Sequence, residues 1–341
     1  MNFIILGAGA VGSYVGGRLA AAGQRVALVG RSRTIEPLSL AGLTVSDLDG
    51  FNAHLMPQQL LPATSLAAVW SQTKLKKWSS STVILLCVKS GATVAAAIEI
   101  AACCPAGTVV ISLQNGVDNA ARLAQAAPHL QVVAGMVPFN VVMSAPGQVH
   151  RATTGSIYLG RCEVTRQVAS IFTAAGLPTE LADDMNAVLW GKLLLNLNNP
   201  VNALSGLPLR EELLDADYRH VLAELQKEAL GIMAGAGIKA AQVANVPPWL
   251  LPHVLNLPTW LFKRVAARML RMDASARSSM WDDVQHGRTT EINDLCGAVV
   301  RLAELTDTQA PYNAAMCELI AGHKKDQHRS GHELRKALYY L

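Results

Sequence analysis

Apolar residues in the first half of the chain come in short runs separated by alanine-rich amphipathic stretches. Asn2-Phe3-Ile4-Ile5-Leu6 reads as a buried strand, residues 13–22 as a helix, and Arg25-Val26-Ala27-Leu28-Val29 as a second strand after a stop at Gly23. Leu43-Thr44-Val45 is a further short strand, followed by weak patterning from 47 to 81 that contains a basic surface segment at 72–77. The continuous apolar run over 82–88 suits a parallel strand covered on both faces. Helices are expected over 93–103, 118–125 and 168–175. Strands are expected over 108–113, 132–137, 147–151, 156–159 and 178–181, completing one sheet. The second half changes period. Residues 186–197, 218–236, 251–271, 279–286 and 290–307 carry helical spacing. Pro247, Pro248, Pro252 and Pro258 interrupt it, so 246–258 is expected to form an extra loop or lid. The basic tail over 323–336 is expected to be solvated. The change of period near Asp183-Asp184 predicts two domains, 1–183 and 184–341.

Gly7-Ala8-Gly9-Ala10-Val11-Gly12 sits between the first strand and the first helix. In that place Gly7 allows a tight turn, Gly9 allows a pyrophosphate to approach the backbone, and Gly12 allows helix and strand to pack closely. The helix start offers N–H groups and a positive dipole end to phosphate. The fold class is therefore α/β, with an N-terminal Rossmann-type dinucleotide-binding domain followed by an all-helical C-terminal domain. Where an NAD site carries an acid at the end of the second strand, this chain has Gly30-Arg31-Ser32-Arg33, with Glu36 too far along. Arginine binds phosphate oxygens bidentately, so NADP(H) is the expected cofactor, with Arg31 at its 2′-phosphate.

Composition narrows the class. The chain has 341 residues, 51% hydrophobic and 16% charged, which supports sizeable cores rather than disorder. A scattered net charge of +4 gives no nucleic-acid footprint but suits anionic small molecules. No signal peptide and no membrane-spanning apolar run are visible. Cys87, Cys103, Cys104, Cys162, Cys296 and Cys317 show no paired chelating spacing, so no metal is expected. They read as thiols in a reducing cytoplasm.

Ligands of open parallel sheets bind beyond the carboxyl ends of the strands. There the run ending at Val88 delivers Lys89, and the strand ending at Leu113 delivers Asn115, which is equally at home in an Asn115-Gly116 turn. In the helical half, Lys192, Asn196 and Asn199 share one face of an otherwise apolar helix at i, i+4 and i+7. Such a stripe must meet water, a partner or a ligand, and a partly buried lysine gives up a proton more readily. Asn199 before Pro200 also fits the N-cap of a new helix, and Lys192 also fits a side chain reaching out to solvent. Ser278-Ser279 and Thr290-Glu291 form a second polar group. On residue pattern alone Thr290 caps a helix and Glu291 complements its dipole.

The ordered set resembles the ketopantoate reductase (2-dehydropantoate 2-reductase) family over nearly the whole chain. The residues that carry it are 7–12, Val88-Lys89, Leu113 to Gly116, Lys192 to Asn196, Ser278-Ser279 and Thr290-Glu291. The resemblance implies a C-terminal domain like that of 6-phosphogluconate dehydrogenase and NADPH-dependent reduction of 2-dehydropantoate to pantoate. It assigns Lys192 as proton donor and Glu291 as the acid that holds lysine, cofactor and substrate in register. Lys89, Asn115 and Val141 fall on cofactor-side positions, Asn115, Asn196 and Ser279 on substrate-side ones, and the role of the second helix asparagine falls to Asn199, to Asn198 or to neither. Two departures lie on the substrate side. Ala276 stands where relatives often carry Asn, and Asn199-Pro200 comes one residue early. The alternatives are a divergent NADPH-dependent reductase of another 2-oxo acid, or an NADPH sensor without turnover. The partners implied are a small 2-oxo acid and, as the assembly allowed for, a second copy of the chain, with neither nucleic acid nor membrane.

Overall fold

The computed structural model describes residues 1–71, 82–243, 246–267, 270, 273 and 276–339. The basic segment at 72–77 lies outside them. The chain divides into two compact units, Met1–Met185 and Asn186–Leu341.

In the first unit the strands are β1 (Asn2–Leu6), β2 (Arg25–Val29), β3 (Leu43–Asp47), β4 (Asn52–Leu55), β5 (Pro62–Ala63), β6 (Thr82–Leu86), β7 (Val109–Ser112), β8 (Gln131–Met136), β9 (Val141–Ala145), β10 (Gln148–Arg151), β11 (Ile157–Gly160) and β12 (Thr179–Ala182). Its helices are α1 (Ala10–Ala21), α2 (Ser32–Ala41), α3 (Pro57–Leu60), α4 (Leu66–Ser71), α5 (Thr93–Cys103), α6 (Asn119–Ala126) and α7 (Glu163–Ala174). Eight strands form the main sheet in the order β12-β11-β8-β7-β6-β1-β2-β5. Both faces are covered, which is why the strands read as unbroken apolar runs. Phe3 and Ile5 join one core with Tyr14, Leu19 and Phe172. Ile4 and Leu6 join another with Ala97, Ile100 and Leu123.

The expectation that 147–151 belongs to that sheet is corrected. β4-β3-β10-β9 form a separate four-stranded sheet, in which β10 runs parallel to β3 and opposes Val149 to Val45. The residues of β3 alternate in burial, with Leu43, Val45 and Asp47 inside. That period belongs to a sheet packed on one face only. The inward Asp47 is neutralised there. Arg18 of α1 lies 2.5 Å from its Oδ2, and Arg151 bridges it to Asp49.

The second unit comprises α8 (Met185–Asn196, whose first residue closes the first unit), α9 (Asn198–Ser205), α10 (Leu209–Leu214), α11 (Ala216–Gly235), α12 (Leu251–Leu255), α13 (Thr259–Val265), α14 (Ser279–Gln285), α15 (Cys296–Leu305), α16 (Pro311–Ala321) and α17 (Gly331–Tyr339). The helix expected over 251–271 is broken, because Pro258 cannot continue α12 and instead opens α13. The expected loop or lid at 246–258 is also corrected. Leu251, Pro252, Val254 and Leu255 are buried. Arg219 binds the carbonyls of Leu255 and Leu257 at 2.9 and 3.1 Å and faces the Phe262 ring at 4.5 Å. The tail is not wholly solvated either, since Gly331, Leu334 and Leu338 of α17 are buried and Tyr218 Oη donates to the Arg329 carbonyl. Among the described residues no helix is long and apolar enough to cross a membrane.

Candidate active site

The four loops expected to bind cofactor leave four neighbouring parallel strands of the main sheet, ordered β7-β6-β1-β2. Gly7 has φ +111°, and a Cβ there would lie 2.6 Å from the Cys87 carbonyl carbon and from the Val88 nitrogen. Its N–H and that of Ala8 both donate to the Val29 carbonyl, at 2.9 and 3.0 Å. A Cβ at Gly12 would lie 2.2 Å from the Gly7 carbonyl oxygen, so α1 packs against the turn itself. Gly9 differs. Nothing lies within 4 Å of where its Cβ would be. No side chain caps α1 and no acid occupies its first turn, so Ala10, Val11 and Gly12 open a helix fit to receive phosphate. Two glycines are spent on packing and one on access, which is the division a dinucleotide needs.

Arg31 is exposed at the start of α2, directly after β2 and Gly30. Lys89 precedes a 3₁₀ turn at Ser90–Ala92, and Asn115 follows β7. A buried polar network that the sequence reading missed holds these two loops together. Ser90 Oγ donates to the Asn115 carbonyl at 2.9 Å, and Asn119 Nδ2 reaches the same carbonyl at 2.5 Å. Gln114 Nε2 donates to the Val88 carbonyl at 3.0 Å and to Thr93 Oγ1 at 2.8 Å. The available signal was four small polar residues beside two strand ends, a position where burial demands partners. Val141 is placed elsewhere, as the first residue of β9 in the smaller sheet, paired with Arg151. A cleft of about 470 Å³ in this unit is lined by Arg18, Asp47, Phe51 and Arg151 and by none of the candidate residues.

The second unit carries Lys192, Asn196, Asn199, Ser279 and Glu291. Lys192 lies on α8 among the buried Trp190, Leu193 and Leu194. Its neighbour Gly191, another residue the sequence reading passed over, lets backbone pack against the helix. A Cβ at Gly191 would meet the Ala241 carbonyl oxygen at 2.2 Å. Burial pulls the Lys192 ammonium down to about 8. Asn196 is buried on the same helix. Asn199 is not an N-cap, because α9 begins at Asn198 and is flanked by Leu197. Ser279 is exposed, whereas Ser278 is buried, caps α14 by accepting from the Trp281 N–H, and donates to the Asn199 carbonyl at 3.1 Å. Glu291 precedes a 3₁₀ turn at Ile292–Asp294, and α15 starts only at Cys296, so the helix expected from 290 begins later. Thr290 therefore does not cap it.

Comparison with known proteins agrees in both units. Residues 3–163 match the family model "Ketopantoate reductase PanE/ApbA", and residues 184–324 match its C-terminal counterpart. A 2-dehydropantoate 2-reductase of Pyrococcus horikoshii is 28% identical over 94% of this chain and 96% of its own. A crystal structure of a PanE/ApbA family ketopantoate reductase from Ralstonia eutropha JMP134 is 27% identical with a TM-score of 0.77, covering 94% of this chain and 97% of its own. The fold is also that of D-mandelate dehydrogenase in a ternary structure with NADH and anilino(oxo)acetate. That match has 19% identity and a TM-score of 0.76 over 99% of this chain and all of the other.

Proposed function

This chain belongs to the ketopantoate reductase family of oxidoreductases, and we propose that it reduces 2-dehydropantoate to (R)-pantoate with NADPH, a step towards pantothenate and coenzyme A. The observation that carries the reading is Lys192, an amine on a largely apolar helix whose desolvation lowers its pKa to about 8. Such a group is protonated at neutral pH yet gives up its proton at little cost. Its N–H polarises the 2-oxo group, and its proton neutralises the alkoxide as charge builds there. Glu291 keeps the ammonium in register. Asn115, Asn196, Asn199 and Ser279 are assigned to substrate binding.

NADPH supplies the hydride when bound. Residues 1–183 form its domain and 184–341 the substrate domain. The open face of Gly9 and the uncapped start of α1 receive the pyrophosphate. Lys89 and Asn115 contact the remainder, and Arg31 takes the 2′-phosphate.

A second reading keeps the chemistry and changes the acid. Ala276 contributes no side-chain amide, and its carbonyl accepts from the Leu209 N–H at 2.9 Å, so no side-chain donor at position 276 is offered to a carboxylate. Purified protein assayed for NADPH oxidation against 2-dehydropantoate and a panel of other 2-oxo acids separates the two. Efficient turnover of 2-dehydropantoate is expected. A clear preference for another member of the panel would replace it as substrate, and tight NADPH binding with no turnover would sink the reductase reading.

A further inference from the structure

Glu212 of α10 is only 1% exposed, and among the described residues no salt bridge reaches it. Its partners are amides and a hydroxyl. Asn202 Nδ2 donates to Oε2 at 2.5 Å, and Ser205 Oγ lies 3.4 Å from the same oxygen. Asn202 is itself fully buried, and its Oδ1 accepts the Ser278 N–H at 2.8 Å. Ser278 then ties back to the Asn199 carbonyl and caps α14. A chain of hydrogen bonds thus runs from Glu212 through Asn202 to Ser278 and Asn199, joining α10, α9 and the start of α14. Arg277 reinforces the join by donating to the Gly206 carbonyl.

We propose that Glu212 is a positioning residue for 2-oxo acid binding, which through Asn202 and Ser278 clamps the start of α14 to α9 and so fixes Asn199 and Ser279. The proposal rests on the reading of those two residues as substrate-holding positions. It bears on two otherwise costly features. Glu212 Oε1 and Asn198 Oδ1 are buried acceptors without partners, and the Asn198 amide stands beside the carboxyl. A neutral carboxyl makes Oε1 less costly to leave unpaired than an anionic oxygen. Burial favours that neutral form by pushing the carboxyl up to about 8.

Glu212→Leu in the full chain removes the acceptor for Asn202 while keeping an apolar volume. We expect about a tenfold rise in KM for the 2-oxo acid, with kcat and the Kd for NADPH within about threefold of wild type. Amide hydrogen exchange at Ser278 and Trp281 should quicken by about tenfold. Glu212→Gln keeps a neutral acceptor and donor and should restore both the KM and the exchange protection. A folded Glu212→Leu protein with wild-type KM and exchange overturns the proposal, as does a Gln variant as impaired as Leu. If Glu212→Leu does not fold, Ser278→Ala cuts the far link. It should raise the same KM, and an unchanged KM overturns the proposal. Should the wild type reduce no 2-oxo acid, the functional reading fails by itself, and exchange at Ser278 and Trp281 still decides whether the clamp exists.

Discussion

Asp47 and Glu212 are both almost fully buried acids, 6% and 1% exposed, one in each unit. Asp47 accepts N–H bonds from Asp49 and Phe51 at 3.0 Å each and lies between the Arg18 and Arg151 guanidiniums. Burial alone would raise its pKa, but these donors and charges together hold it below the ordinary value. Glu212 has neutral partners only, and there burial prevails. The cations differ as well. Arg18 and Arg151 are buried against carboxylates, whereas for Lys192 desolvation prevails and lowers the ammonium to about 8. The first unit keeps its buried charges by pairing them, which suits a scaffold. In the second, burial brings Glu212 and Lys192 near neutrality.

The comparison breaks first at Lys192. Lys192→Met should lower turnover by about 10²–10⁴-fold while the Kd for NADPH stays within about threefold. Fluorescence titration of NADPH beside steady-state kinetics checks both. In wild type the reduction rate should fall as pH rises through about 8, where the ammonium is lost. A rate flat to pH 10 would remove Lys192 as donor.

Asp47→Ala comes next, with an expected loss of about 3–5 kcal/mol, because Arg18 is left buried without a counter-charge while Arg151 keeps only Asp49. Denaturant unfolding measures it. The folded-state pKa of Asp47 is depressed, so its contribution is present above the unfolded value of about 3.9 and disappears as pH falls through the folded one. Glu212→Gln should have the opposite sign. Its folded-state pKa is raised, so wild-type stability declines with rising pH between the unfolded value of about 4.3 and about 8, by about 1.4 kcal/mol per unit. The Gln variant should escape that decline, and its advantage in chemical denaturation should grow with pH across the window. A constant difference would mean that Glu212 is ionised. The smallest effect belongs to the exposed Arg31. Arg31→Ala should cost about tenfold in preference for NADPH over NADH, and an unchanged preference would remove the 2′-phosphate contact.

The glycine turn, strands β1, β2 and β6, and helix α5 were legible because local spacing and local burial agree there. The sheet β4-β3-β10-β9 was not. Its pairing joins residues about a hundred positions apart, and its strands carry only four or five residues each. At the candidate site the residue types were readable and the engagements were not. The Ser278-Ser279 pair was visible, but which serine turns inward depends on Asn202 and Asn199 of another helix. Glu212 drew no notice, because Leu209-Arg210-Glu211-Glu212 reads as an ordinary helix start with acids in its first turn.

The sequence by itself determined the α/β character, the glycine turn, the change to helix in the second half, and the residues proposed to carry reductase chemistry. These follow from periodicity and from glycines that local geometry requires. Tertiary structure alone decided which polar groups are ionised and which are merely held. A carboxyl or an ammonium has no fixed charge state in the chain, and it acquires one only when distant segments either bring partners to it or exclude water from it.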